Sequence, residues 1–259
     1  MSILEHLEEL RSRLIKAGLS VLAGFAVAYA FSDQIYEIVV LPAKAALPAG
    51  AKLAYTGLAD PFILYLKVSV LAGLFISAPL VLTQLWLFVS PGLYRKEKKW
   101  VFPFVGGATF FFALGGYFAW RTILPFACNY FIGIGNQAGF TPVITVRELL
   151  SFELQLILGT ALVFEMPVLV FFLTRIGILT PPFLWHFFPH AMVALWFLAA
   201  WLTPPDVLSM ILVGVPMTGL YLLSIAICWI FQPKREPVPV ESEPAPRGPE
   251  EPGDGDTPR

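Results

Sequence analysis

The chain has 259 residues, of which 57% are hydrophobic, 15% aromatic and only 14% charged. A soluble domain of this length carries about 25% charged residues, so much of this surface must face something other than water. The net charge is -1, split as +2 over residues 1–231 and -3 over the tail from Gln232, a balance that points away from nucleic acid.

Residues 2–14 read as a short amphipathic helix. Ser2 and Glu5 have capping-box spacing. Ile3, Leu7, Leu10 and Leu14 share one face, and Glu5, Glu9 and Arg13 line another at i, i+4. This is a membrane-surface helix leading into a first span at 17–31. The opening MSILEHLEEL is neither a cleavable signal peptide nor a transit peptide, which favours a bacterial-type inner membrane.

A helix needs about 20 apolar residues to cross the bilayer core. The second span is expected at 62–89, after Asp60-Pro61, a good N-cap and first-turn pair, with Pro79 kinking it. The third is expected at 101–120, extending outward past Arg121, with Gly106, Gly107, Gly115 and Gly116 allowing close helix contact. The fourth is expected at 152–173, behind a second capping box from Thr145 to Glu148.

The fifth and sixth fall at 187–202 and 207–231, separated only by Thr203-Pro204-Pro205-Asp206. Pro189 is expected to break the fifth, leaving 191–202 uninterrupted. Twelve residues reach only about 18 Å against about 30 Å of hydrocarbon. A short fifth and sixth helix beside a thinned bilayer is therefore the expectation.

Lys and Arg set the orientation. With the N-terminus inside, inner segments hold ten of these residues and outer segments five, which puts both termini in the cytoplasm. The fold class is thus an all-α integral membrane protein of six transmembrane helices over 1–231. The tail 232–259, with 8 Pro among 28 residues, is expected to be disordered. Cys128 and Cys228 fall near opposite faces, so a disulfide is not expected.

Glu165, in Leu162-Val163-Phe164-Glu165-Met166-Pro167, is the most informative position. An ionisable group within a span faces the protein interior or a wet cavity and usually has a function. Pro167 lacks an amide hydrogen, so the two residues together make a polar site in the membrane. Gln84 and Gln155 are better read as helix-to-helix hydrogen bonds. Asp206 is explained by an N-cap role. His186 and His190 flank Phe-Phe-Pro and do not form a clean helical metal pair.

On charge pattern alone, Glu97 in Arg95-Lys96-Glu97-Lys98-Lys99 is a solvated carboxylate, and Glu9 pairs with Arg13. Together they could receive two guanidinium groups through bidentate hydrogen bonds. HExxH, GxSxG and P-loop signatures are absent, so neither an enzyme nor a metal or cofactor is expected. From these residues alone, a secondary transporter with a midplane site at Glu165 ranks first. An intramembrane enzyme would need a second catalytic group beside it.

Five segments nevertheless spell out a family. His6-Leu7-Glu8-Glu9-Leu10-Arg11-Ser12-Arg13-Leu14 resembles the N-terminal signature of TatC, the core subunit of the twin-arginine protein translocase. Phe62-x4-Lys67-Val68-Ser69, Ala78-Pro79 and Gln84-x-Trp86-x-Phe88 resemble its second helix, and Pro91-Gly92-Leu93-Tyr94-x2-Glu97 its first cytoplasmic loop. Phe164-Glu165-Met166-Pro167 and Leu202-Thr203-Pro204-Pro205-Asp206-Val207 complete the set, in order over residues 6–231.

The resemblance implies a receptor for twin-arginine signal peptides of folded cargo at the cytoplasmic face of a bacterial inner membrane. It also implies assembly with TatA and TatB (or one TatA-like subunit) and further TatC copies, driven by the proton-motive force. Carried over by position, Glu9 and Glu97 would contact the signal arginines, with Arg11, Phe88, Leu93 and Tyr94 shaping that surface. Glu165 would be the intramembrane polar residue, with Gln84 nearby, and Thr203 and Asp206 would mark the hairpin facing TatA and TatB.

Overall fold

The computed structural model describes residues 3–48, 53–89, 101–140 and 143–232. Ser2, Leu93, Tyr94, Glu97 and the tail from residue 233 lie outside the described residues. Regular structure among the described residues is helical, and six helical stretches are long and apolar enough to cross a membrane.

The first is α1, Ile3–Ala30, a single helix of 28 residues. The surface helix and the first span are therefore one element: no Gly-Pro punctuation separates Lys16 from Ala17, and the periodicity runs through. At 1.5 Å per residue it is about 42 Å long, so its first turns extend beyond about 30 Å of hydrocarbon. A short helix α2, Ser32–Ala46, follows.

The second span is α3, Asp60–Val89, with Pro79 inside it. Asp60 is not a forward cap. Its carboxylate accepts the amides of Thr56 at 3.2 Å and Gly57 at 2.7 Å and pairs with Arg147 at 2.6 Å, tying the preceding turn to the start of the fourth span. Beside it Ala54 bridges Thr145, with the Ala54 amide donating to the Ile144 carbonyl at 3.0 Å.

Helices α1 and α3 are antiparallel. Gly24 meets Gly73, and further along the chain Tyr36 meets Tyr65, ring centres 6.0 Å apart, so numbers rise on one side as they fall on the other. The contact is backbone to backbone: a Cβ at Gly24 would lie 2.5 Å from the Gly73 carbonyl oxygen. Small residues permit this approach in lipid, where dispersion replaces the hydrophobic drive.

The third span runs through α4, Val101–Phe118, a π-helical turn at Ala119–Ile123, and α5, Leu124–Gln137. It passes Arg121 as expected. Trp120 Nε1 donates to the Ile38 carbonyl at 2.9 Å, joining this turn to α2. Gly115 does lie against another helix, where a Cβ would be 2.7 Å from Phe164 Cβ, but Gly106 and Gly107 face open space.

The fourth span, α6 (Val146–Phe164) and α7 (Met166–Arg175), is the most buried of the six, and α1 is the least. It starts as expected, with Thr145 Oγ1 accepting the Glu148 amide at 3.3 Å. Helices α2, α3, α4, α8 and α9 pack on it, and Leu150, Leu156, Ile157 and Ala161 are among its buried core residues.

The fifth and sixth spans are α8, Pro181–Leu202, and α9, Val207–Phe231, of 22 and 25 residues. Both are shorter than the second, third and fourth. The expected break at Pro189 is absent: α8 runs unbroken through it. One proline removes one hydrogen bond and kinks a helix; here it sits among Phe187, Phe188 and His190, which pack on side chains of both helices. A helix of this length reaches about 33 Å, so the basis for a thinned bilayer is removed.

Candidate functional site

The α1–α3 register decides what gathers at one face. From the Gly24–Gly73 contact, Glu9 lies fifteen residues back along α1 and Phe88 fifteen residues forward along α3. Both are about 22 Å from the crossing, at the same level. Glu9 pairs with Arg13 at 3.3 Å, with both side chains about a quarter exposed, and Arg11 is exposed on the same turns. The pair is an i, i+4 surface contact of small energy, so a stronger bidentate partner can replace it.

Trp86, two residues before Phe88, is buried against Phe104 and Phe172 at ring-centre distances of 4.7 and 4.4 Å. These rings pin the end of α3 to α4 and α7. Leu93, Tyr94 and Glu97 follow Phe88 in sequence but lie outside the described residues.

Glu165 stands between α6 and α7. It ends α6, with φ -69° and ψ -17°, and its carbonyl accepts the amides of Val168 and Leu169 at 3.1 and 3.0 Å. The helix restarts here because Pro167 fits a first helical turn and not a helix interior. The side chain is 8% exposed, with Oε1 buried and unpartnered among the described residues. It lines a cavity of about 330 Å³ whose other walls, including Leu82, Phe104, Phe112, Leu158 and Leu162, are apolar.

Gln84 does not line this cavity, although its neighbours Leu82 and Leu85 do. Its Oε1 is buried without a hydrogen-bond partner among the described residues. Gln155 makes the expected interhelical bond, its Nε2 donating to the Trp201 carbonyl at 2.8 Å.

At the α8–α9 turn, Thr203 Oγ1 donates to the Ala199 carbonyl at 2.9 Å. Asp206 caps α9: its Oδ2 accepts the Ser209 amide at 2.7 Å, and its Oδ1 accepts the Ser209 hydroxyl. Both side chains thus have local structural partners. Cys128 and Cys228 are free and buried; the Thr174 hydroxyl donates to Cys228 Sγ at 3.0 Å.

One residue escaped the sequence reading. Glu153, on α6, is fully buried, and neither carboxyl oxygen has a hydrogen-bond partner among the described residues. Burial, and then the charge of Glu153, raise the Tyr36 phenol on α2 above its ordinary pKa. The signal was available: an acidic residue inside an apolar stretch, in Phe152-Glu153-Leu154. Its place in the first turn of the expected span made it resemble a boundary residue.

The profile of the Sec-independent protein translocase protein (TatC) family matches residues 5–216. The chain is 39% identical to the Sec-independent protein translocase protein TatC of Koribacter versatilis over 96% of this chain and 92% of that protein. It is 37% identical to the TatC of Campylobacter jejuni over 92% and 96% of the respective chains. A crystal structure of the twin-arginine translocase receptor TatC superposes with a TM-score of 0.78 at 32% identity, covering 87% of this chain and 98% of the other. With the six spanning helices in the same arrangement and the resembling segments in register, this multi-pass membrane protein belongs to the TatC family of Sec-independent protein translocase components.

Proposed function

We propose that the chain is the signal-peptide receptor subunit of a twin-arginine translocase, receiving the arginine pair of folded cargo at the face where α1 begins and α3 ends. The observation that carries this is the register of the glycine-packed helices, which brings Glu9 level with Phe88, the last described residue of the motif that Leu93, Tyr94 and Glu97 continue in sequence. Two carboxylates there, Glu9 and Glu97, supply bidentate acceptors for two guanidinium forks. Arg11, Phe88, Leu93 and Tyr94 border them.

In this reading that face is cytoplasmic, both termini lie inside a bacterial inner membrane, and the α8–α9 turn with Thr203 and Asp206 is the outer surface offered to TatA and TatB. Glu165 acts after binding, in the step driven by the proton-motive force. The transporter alternative has a broken helix beside a cavity, but that cavity presents one polar side chain and no convergent set to orient a polar solute.

The test is binding of a twin-arginine peptide to the purified protein in detergent, against a twin-lysine peptide and a Glu97→Ala variant. Lysine keeps the charge and loses the fork. Weaker binding on both changes, by about tenfold or more for a lost charge-assisted pair, is the expected result. Equal binding of all three by folded protein would sink the assignment.

A further inference from the structure

We propose that the groove between α3 and α6 binds one anionic phospholipid, its headgroup phosphate on Lys67 and Ser151 and an acyl chain along the apolar wall. Lys67 lies seven residues inside α3, about 10 Å from its start. Its ammonium donates to Ser151 Oγ at 3.0 Å, and that hydroxyl donates to the Arg147 carbonyl at 2.7 Å. The serine proton is therefore committed, and its lone pair is turned to the lysine.

An ammonium carries three donors, and Ser151 takes one. Among the described residues no carboxylate pairs with Lys67: the two ion pairs are Glu9–Arg13 and Asp60–Arg147. Asp60 is engaged by Arg147 and by the amides of Thr56 and Gly57. The one charged residue lining the groove is thus Lys67, a positive charge beside hydrocarbon. A cation there is costly unless an anion meets it, and a phosphodiester carries the complementary single negative charge.

The groove has a volume of about 420 Å³, and beyond Lys67, Ser151 and Gln155 its walls are apolar, among them Val70, Leu71, Leu154 and Leu158. A helix about 10 Å across needs on the order of 1,000 Å³ for three turns, so the groove suits a hydrocarbon chain and not a helix. Leu74 and Leu158 also line the Glu165 cavity. A chain anchored at Lys67 therefore runs toward Glu165. This inference does not rest on the receptor reading.

Native mass spectrometry of the full chain in detergent, with phosphatidylglycerol, phosphatidylcholine or inorganic phosphate added, tests it. One phosphatidylglycerol per chain should be retained in preference to phosphatidylcholine, and inorganic phosphate should not displace it. Lys67→Gln should lower that preference about fivefold, the weight of one lysine against an anionic headgroup, and Lys67→Arg should keep it. Val70→Trp, which fills the groove and leaves the charge, should also release the lipid. Equal retention of both lipids, an unchanged Lys67→Gln, or displacement by phosphate alone would overturn the proposal. If Lys67→Gln fails to fold, the Val70→Trp result decides: undiminished retention overturns it.

Discussion

Three acidic side chains in the last half of the chain show how differently a carboxylate can be held. Asp206 is explained locally: it caps α9 through the Ser209 amide and hydroxyl. Removing an N-cap costs about 1–2 kcal/mol, so Asp206→Ala should lower thermal stability by that amount, and Asp206→Ser should restore most of it. Glu165 lines a cavity, and its Oε1 has no hydrogen-bond partner among the described residues. Glu165→Ala should leave signal-peptide binding intact and reduce transport about tenfold, as for a lost interaction near 1.4 kcal/mol. Equal loss of both activities would make the residue structural. Glu153 is fully buried, with no hydrogen-bond partner among the described residues. Burying a polar group without a hydrogen bond is unfavourable, so Glu153→Leu should raise the melting temperature by about 2–4 °C for each kcal/mol recovered. A fall in calorimetry would show that the carboxyl stabilises the α2–α6 contact.

At the scale of elements, the α1–α3 pair connects packing to function. Its contact is made by two glycines with no room for a Cβ. Gly24→Val drives a branched side chain into the Gly73 backbone, and overpacking of this kind costs about 1–3 kcal/mol. Because this contact helps to set the level of Glu9 against Phe88, the same variant should weaken twin-arginine peptide binding although it lies about 22 Å from that face. Unchanged affinity in a correctly folded Gly24→Val protein would separate the register from the site. The helix ends were largely legible. The Thr145–Glu148 box, the Asp206 cap and the bounds of α9 depend on residues within a turn of one another. Pro189 misled because proline's local cost was weighed without the neighbouring helices. Tyr221 Oη donates to the Leu184 carbonyl at 2.8 Å, fixing α8 to α9 five residues before the proline.

For the whole molecule, the arrangement assigns opposite ends to two sets of residues. Helix α1 begins, and α3, α7 and α9 end, at one face; α2, the start of α6 and the α8–α9 turn lie at the other. The sequence, with ten Lys and Arg in the expected inner segments against five in the outer ones, predicts that the first face is cytoplasmic. In intact cells, with Cys128 and Cys228 replaced, a cysteine at exposed Tyr55 should react with an impermeant maleimide, and one at Gln232 should react only after lysis. The reverse pattern would invert the topology and move the proposed receptor face outside.

Taken alone, the sequence was enough for the membrane class, the number of spans, most helix ends and the family. These follow from hydropathy and from contacts within a few residues, which the chain carries wherever it folds. Tertiary structure decided the rest. It set the level of Glu9 against Phe88, the junction of the Glu165 cavity with the Lys67 groove, the burial of Glu153 and the continuity of α8 through Pro189. Each depends on which helix lies beside which and at what height. In lipid, close packing of small residues and the few interhelical polar bonds fix that choice, and neither is visible in the periodicity of any single helix.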